Sequence, residues 1–152
     1  MEKSLEILLQ HRKVLYHYLK ETSPEVLNAI PNGFRNNIFW NIAHSVVTQQ
    51  LLVYGLSDAP PLVSESLISR YRKGTAPNGA VPQTEIEEVK GLLFSTVEKT
   101  AEDYQLGAFR RFRQYTTLTR VVLNGVDDAI LFNNFHEGLH LGYIMALRKV
   151  LT

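Results

Sequence analysis

The stretch Leu131–Leu151, LFNNFHEGLHLGYIMALRKVL, decides the fold prediction, because its apolar residues recur with the period of an amphipathic α-helix. His136 and His140 are four residues apart, so on a helix they lie on one face with Cβ atoms about 5–6 Å apart. Both imidazoles can then converge on one cation. We therefore expect a divalent-metal site on a last helix that runs from about Asp127 to Leu151. The side chains expected to face inward are Phe132, His136, Leu139, Tyr143 and Val150.

The same letters, His136-Glu137-Gly138-Leu139-His140, satisfy HExxH, the metalloprotease signature in which two histidines hold zinc and the glutamate is the general base. Such enzymes usually take a third ligand downstream, but no Asp, Glu, His or Cys follows His140. Glu137 is offset from His136 by about 100° around the helix, so we expect it to point beside the metal. Glu137 is kept as a candidate catalytic residue, with a solvated or interface carboxylate as the alternative.

A third ligand has to come from upstream, and His44 is the best candidate. It lies in Asn37–Tyr54, NIFWNIAHSVVTQQLLVY, and shares an inward-facing stripe with Trp40, Val47 and Leu51. Asn41 and Thr48 lie one turn to either side of His44 and could orient its ring or a bound water. Three neutral imidazoles with one open position are typical of a reactive zinc site, whereas structural sites are closed.

The composition limits the class of protein. A chain of 152 residues is expected to form one domain, residues 1–152. It has no cysteine, which suits a reducing cytoplasm. We expect no signal peptide and no membrane span, because no apolar run approaches the roughly 20 residues that a bilayer requires. A net charge of +1 argues against a strongly electrostatic nucleic-acid surface.

Four long helical segments and no strand alternation predict an all-α four-helix bundle. The predicted segments are Leu5–Glu21, Asn37–Tyr54, Thr84–Tyr104 and Asp127–Leu151. A short helix is expected from Pro24 to Ala29 after the N-cap Ser23. Thr84-Glu85-Ile86-Glu87 matches a capping box at the start of the third long helix. The proline-rich connection Leu56–Gln83 carries at most one short helix, about Ser64–Lys73, and predicts a long crossover after the second long helix.

Several further residues are candidates for the walls of a binding pocket. His11 shares the stripe Ile7-His11-Val14-Tyr18 and could line the pocket, or it is a hydrogen-bonded core histidine. Asn133 precedes His136 by one turn and could support it. Arg110-Arg111-Phe112-Arg113 could grip phosphates or an acidic cosubstrate, or could be a solvated loop. Gly138 and Gly142 indicate close packing of the last helix, or room for a ligand or a second subunit.

On these residues, the chain resembles the DinB-like (DinB/YfiT) metalloenzymes. That family has a histidine in its second helix and an HxxxH pair in its last, which match His44, His136 and His140. The segments Ile68–Val89 and Leu131–Leu151 also look like the corresponding family segments. Many members carry a glutamine where this chain has Tyr143, so Tyr143 is a further candidate at the substrate. The resemblance extends over nearly the whole chain.

The resemblance implies an up-down-down-up bundle, a divalent metal such as zinc or nickel on the three histidines, and frequent dimerisation. Several members are thiol-dependent S-transferases that use bacillithiol or mycothiol. We therefore expect a small-molecule metalloenzyme of that type, with a low-molecular-weight thiol as possible cosubstrate. A metal-dependent hydrolase is the second hypothesis, and a non-enzymatic, metal-stabilised dimeric interaction module is the third. Binding of nucleic acid is not expected.

Overall fold

Six α-helices make up most of the chain, which a computed structural model describes over residues 1–152. The all-α prediction is confirmed, and the predicted helix boundaries agree with the observed ones to within three residues. No helix is both long and apolar enough to cross a membrane. The helices are α1 (Glu2–Glu21), α2 (Pro24–Asn28), α3 (Ile38–Val53), α4 (Glu65–Tyr71), α5 (Gln83–Gln105) and α6 (Val126–Leu151).

Two short elements interrupt the helical pattern. A 3₁₀ turn at Gly55–Ser57 follows α3 directly. The segment before α6 contains a small hairpin, in which β1 (Tyr115–Thr116) pairs antiparallel with β2 (Val122–Leu123). Arg120 adopts a positive φ of 67° in the turn that joins them. The sequence gives no alternation long enough to predict strands of two residues.

Polar side chains begin three of the helices. The side chain of Asn37 accepts a hydrogen bond from the Trp40 amide at 2.7 Å, and that of Ser64 accepts one from the Leu67 amide at 3.1 Å. Ser23 caps α2 in the same way, as predicted. The predicted capping box at Thr84 is wrong, because Pro82 is the N-cap of α5 and has no capping side chain.

The second long helix lies at the centre of the molecule. α3 is buried around almost its whole circumference and packs against α2, α4, α5 and α6, while α1 packs against α5 and α6. A helix that is largely apolar on every side is stable only when it is covered by neighbours. Core residues from the four long helices include Leu15, Leu19, Ile42, Val46, Val89, Leu93, Ile144 and Leu147.

The last helix turns a different face to the core than its apolar periodicity predicts. Three of the residues expected to face inward are exposed, and these are Leu139, Tyr143 and Val150. The buried face of α6 instead includes Asn133 and Glu137 beside Ile144 and Leu147. The prediction was wrong because the buried face of α6 also contains polar residues, which have partners inside the molecule. A prediction from the apolar residues alone therefore assigned the wrong face of the helix to the core.

No neighbouring helix packs closely against the two glycines of α6, Gly138 and Gly142. A Cβ added at Gly142 would meet no atom within 4 Å, and one at Gly138 would meet only His11 Cε1 at 3.9 Å. Close helix packing inside the molecule, one of the two expectations for these glycines, therefore does not explain either residue.

Candidate metal centre

The structure brings His44 of α3 together with His136 and His140 of α6. One ring nitrogen from each residue can be chosen so that all three lie within 4.8 Å of one another. The ring centroids of His136 and His140 are 4.5 Å apart, and the ring centroid of His44 lies 5.2 Å from that of His136 and 4.7 Å from that of His140. Three imidazoles at this spacing can close on one metal ion by small ring movements, since tetrahedral zinc with zinc–nitrogen bonds of about 2.0–2.1 Å holds its ligand atoms roughly 3.4 Å apart.

Backbone from the crossover fixes the ring of His44. Its Nδ1 lies 2.6 Å from the Tyr71 carbonyl oxygen, which can only accept a hydrogen bond, so Nδ1 carries the proton. Nε2 therefore presents its lone pair, 3.2 Å from the Thr48 hydroxyl. The Trp40 ring stacks on His44 at 4.5 Å with an interplanar angle of 11° and covers one face of the imidazole.

A side-chain amide fixes the ring of His140. Asn41 Nδ2 donates to the Asn37 carbonyl at 2.7 Å, which directs Asn41 Oδ1 toward His140. His140 Nδ1 donates to this oxygen at 2.7 Å and leaves Nε2 free. We expected Asn41 to orient His44, one turn away on the same helix, but it orients the histidine of the facing helix. Thr48 does contact His44, as expected.

The third ring carries an unused polar atom. His136 Nδ1 is buried and has no hydrogen-bond partner. Buried polar atoms normally have one, because a missing partner costs about 1–3 kcal/mol. His136 is thus the ring of the cluster that no hydrogen bond orients, and its centroid lies 4.5 Å from that of His140 and 5.2 Å from that of His44, where a cation shared by the three rings would fix it.

All three rings are neutral at pH 7. Burial, with a smaller effect from His44, lowers the pKa of His136 to about 4. Burial, followed by the neighbouring His136 and His44, lowers the pKa of His140 to about 3. Burial also lowers the pKa of His44, although its hydrogen bond to Tyr71 opposes the change. A neutral imidazole is the form that binds metal, so protons compete for these ligands only in acid.

A cavity of about 720 Å³ reaches the three histidines. Thr48 and Thr117 are polar residues of its wall, and Phe132 is an apolar one. The three-histidine cluster is therefore open to a small molecule on one side, which a closed structural site is not.

Glu137 is neither solvated nor directed at the histidine cluster. It is fully buried and forms a bidentate ion pair with Arg12 of α1, in which Nη2 and Nε of Arg12 donate at 2.7 and 2.9 Å. Asn133 Nδ2 donates to the same carboxylate at 2.9 Å. The expectation of a solvent-exposed carboxylate is wrong, and its engagement with three donors leaves Glu137 poorly placed to act as a general base.

Three other candidates do not line the cavity that contains the histidines. His11 lies beside Gly138, and its stripe on α1 is partly exposed at Ile7 and Val14. Asn133 binds Glu137 instead of a histidine. Tyr143 is packed edge to face against Phe34, with ring centroids 5.4 Å apart.

Two groups that contribute to the site, the Tyr71 carbonyl and the Lys73 side chain, were not identified from the sequence. The Tyr71 carbonyl that orients His44 is a backbone atom, so no side-chain pattern could reveal it. Lys73 lines the cavity from the segment after α4. Its charge is visible in the sequence, but only the course of the crossover places it near the histidines.

The family comparison agrees with this geometry. A family model described as the DinB superfamily matches residues 7–144, which include all three histidines. No curated protein matches the chain.

Proposed function

The chain belongs to the DinB superfamily, and we propose that it is a small-molecule metalloenzyme in which His44, His136 and His140 hold one divalent metal ion. The observation that carries this proposal is the meeting of three neutral imidazoles, two of them with fixed tautomers, at the wall of an open cavity. Zinc and nickel are the metals we propose, because imidazole ligands suit both.

We further propose that α1, α3, α5 and α6 form the up-down-down-up four-helix bundle, with α4 in the long crossover. The packing of α1 and α3 against both α5 and α6 supports this topology. It would place the metal between α3 and α6, where facing helices of a bundle commonly hold metals.

The reaction we propose is transfer of a low-molecular-weight thiol to an electrophile. A divalent cation on the three histidines would lower the pKa of a thiol or a water at its open position. The sulfur forms a bond to the electrophilic carbon, the leaving group departs with the electrons of the broken bond, and the thiol proton passes to solvent. In this proposal the Thr48 hydroxyl, which lies 3.2 Å from His44 Nε2, would hydrogen-bond the reacting sulfur or water, and the apolar wall would exclude bulk water.

A metal-dependent hydrolase is the second candidate, since the same open site can activate water. The non-enzymatic interaction module is less well supported, because it requires a closed coordination sphere and the cavity reaches the histidines.

The proposed reaction can be tested with monochlorobimane as electrophile and cysteine, bacillithiol or mycothiol as the thiol. Zinc-loaded or nickel-loaded protein is expected to accelerate release of chloride and formation of the fluorescent thioether, whereas metal-free protein and His140→Ala are not. The matched control is His17→Ala, which removes an exposed imidazole of α1. Hydrolysis of ester substrates without thioether formation would favour the second candidate instead.

We also propose that the protein is a homodimer. Five exposed apolar side chains follow one side of α6 and define the α6 apolar surface: Leu131, Phe135, Leu139, Met145 and Val150. Gly138 and Gly142 lie along the same side; a Cβ added at Gly142 would meet open space, and one at Gly138 would meet only His11 Cε1 at 3.9 Å. A second copy of this surface, related by a two-fold axis, would cover both sets of apolar groups at once.

The dimer proposal predicts that Met145→Glu converts the protein to a monomer in light-scattering measurements. Met145 is exposed, so the substitution is expected to leave the fold of the monomer intact. Leu106→Glu places the same charge at an exposed apolar position at the end of α5 and is expected to leave the dimer unchanged. A native protein that is monomeric at micromolar concentration would contradict the proposal.

A further inference from the structure

Two cations line the cavity without an acidic neighbour. Lys73 and Arg113 are the only permanently charged residues in its wall, and no Asp or Glu contributes to it. Neither cation forms an ion pair elsewhere in the molecule. The cavity therefore concentrates positive charge that the protein itself does not neutralise, and a divalent metal on the histidines would add to that charge.

The chain holds both cations near the histidine cluster from separate segments. Lys73 follows Tyr71, whose carbonyl fixes His44, by two residues. Arg113 belongs to the segment before the hairpin, and its backbone N–H donates to the Leu56 carbonyl at 2.6 Å. This hydrogen bond ties the Arg113 backbone to the 3₁₀ turn after α3. The Arg113 backbone is thus anchored, Lys73 lies two residues from the anchored Tyr71 carbonyl, and both cationic residues are exposed.

The rest of the wall is largely apolar. Leu51, Leu52 and Leu56 continue from α3 into the 3₁₀ turn, and Leu118 and Phe132 contribute from the hairpin and from α6. Known small-molecule sites of about 300–1,000 Å³ combine an apolar lining with a few polar groups that fix orientation. A ligand with an apolar body and one anionic group would satisfy both parts of this wall.

We propose that the cavity selects small organic anions, with the apolar body against the leucines and Phe132 and the anionic group bound by Lys73 and Arg113. This inference names the substrate class and rests on the proposed function for the part of the ligand that reaches the histidines. A carboxylate, a sulfonate and a phosphate share the recognition chemistry. Arginine binds the two oxygens of such a group in a planar pair, and lysine adds a compact charge.

The test compares two fluorescent probes that differ in one sulfonate group, 8-anilinonaphthalene-1-sulfonate and the neutral N-phenyl-1-naphthylamine. Affinities are measured by titration of metal-free and of zinc-loaded full-length protein. Lys73→Met and Arg113→Met are each expected to weaken binding of the sulfonate about fivefold, as loss of one partly exposed ion pair does. Binding of the neutral probe is expected to stay unchanged in both variants. The matched control is Arg111→Met, which removes an exposed cation from the same segment but outside the cavity wall.

The outcomes separate this inference from the proposed function. A sulfonate-specific loss in the metal-free protein supports the anion site even when no metal binds. Equal weakening of both probes, or no weakening in either variant, overturns it while metal binding by the three histidines stands. Octanoate and octyl phosphate as competitors then distinguish a carboxylate ligand from a phosphate ligand.

Discussion

Replacement of His44 or His140 by alanine is expected to abolish stoichiometric metal binding. Each of these rings presents Nε2 because its Nδ1–H is engaged, by the Tyr71 carbonyl for His44 and by Asn41 for His140. Loss of either ring leaves only two protein ligands, and we expect affinity for zinc or nickel to fall by more than about 100-fold, the upper range for losing an outer hydrogen-bond partner. The measurement is elemental analysis of tag-free, chelator-washed protein after reloading with metal.

The chain provides its own histidine controls. His11→Ala and His17→Ala each remove an imidazole outside the cluster, so both variants are expected to retain about one metal ion per chain. Asn41→Leu keeps all three ligands but removes the acceptor that orients His140, and a decrease in affinity of about 10–100-fold is expected. Full metal retention in His44→Ala would contradict the shared site and favour the interaction-module hypothesis.

Replacement of Arg12 by methionine is expected to destabilise the protein by about 3–5 kcal/mol, because it leaves the Glu137 carboxylate buried without its counter-charge. Both side chains of this pair are fully buried. The free energy of unfolding is obtained from urea denaturation of metal-free protein, by linear extrapolation. A loss of this size is a large fraction of the typical 5–15 kcal/mol stability of a domain.

Two comparisons show whether burial causes the effect. The double variant Arg12→Met/Glu137→Met removes both charges and is expected to recover much of the loss, since apolar replacements of a buried pair are often neutral. Glu6→Gln breaks the exposed pair Lys3–Glu6, whose side chains are 76% and 57% exposed, and is expected to cost less than about 1 kcal/mol. If Arg12→Met costs no more than Glu6→Gln, the buried pair does not stabilise the fold.

The ion pair with Arg12 favours a structural role for Glu137 over a catalytic one. The HExxH pattern suggests a general base, but Arg12 and Asn133 bind the carboxylate. Sequence reasoning could not find this pair because Arg12 and Glu137 are 125 residues apart. Arg12 lies in line with Leu8, Leu15 and Leu19 on α1, and that interior position was the only local signal.

Sequence patterns predicted correctly those features that depend on residues only a few positions apart. Helical periodicity predicted the four long helices, and the i, i+4 spacing of His136 and His140 placed both rings on one side of α6. His44 faces inward as predicted, because its neighbours at helical spacing are apolar and buried. The N-cap Ser23 was found for the same reason, since capping depends on residues three positions apart.

The sequence by itself thus determined the all-α class, the approximate helix bounds and the three histidines, because periodicity and spacing act over a few residues. Only the tertiary structure decided which face of α6 is buried, which atoms orient His44 and His140, and that Lys73 and Arg113 border the same cavity. These features depend on contacts between segments that are far apart in the chain. The physical reason is that a buried polar group is stable only with its partner, and packing alone determines which distant segment supplies that partner.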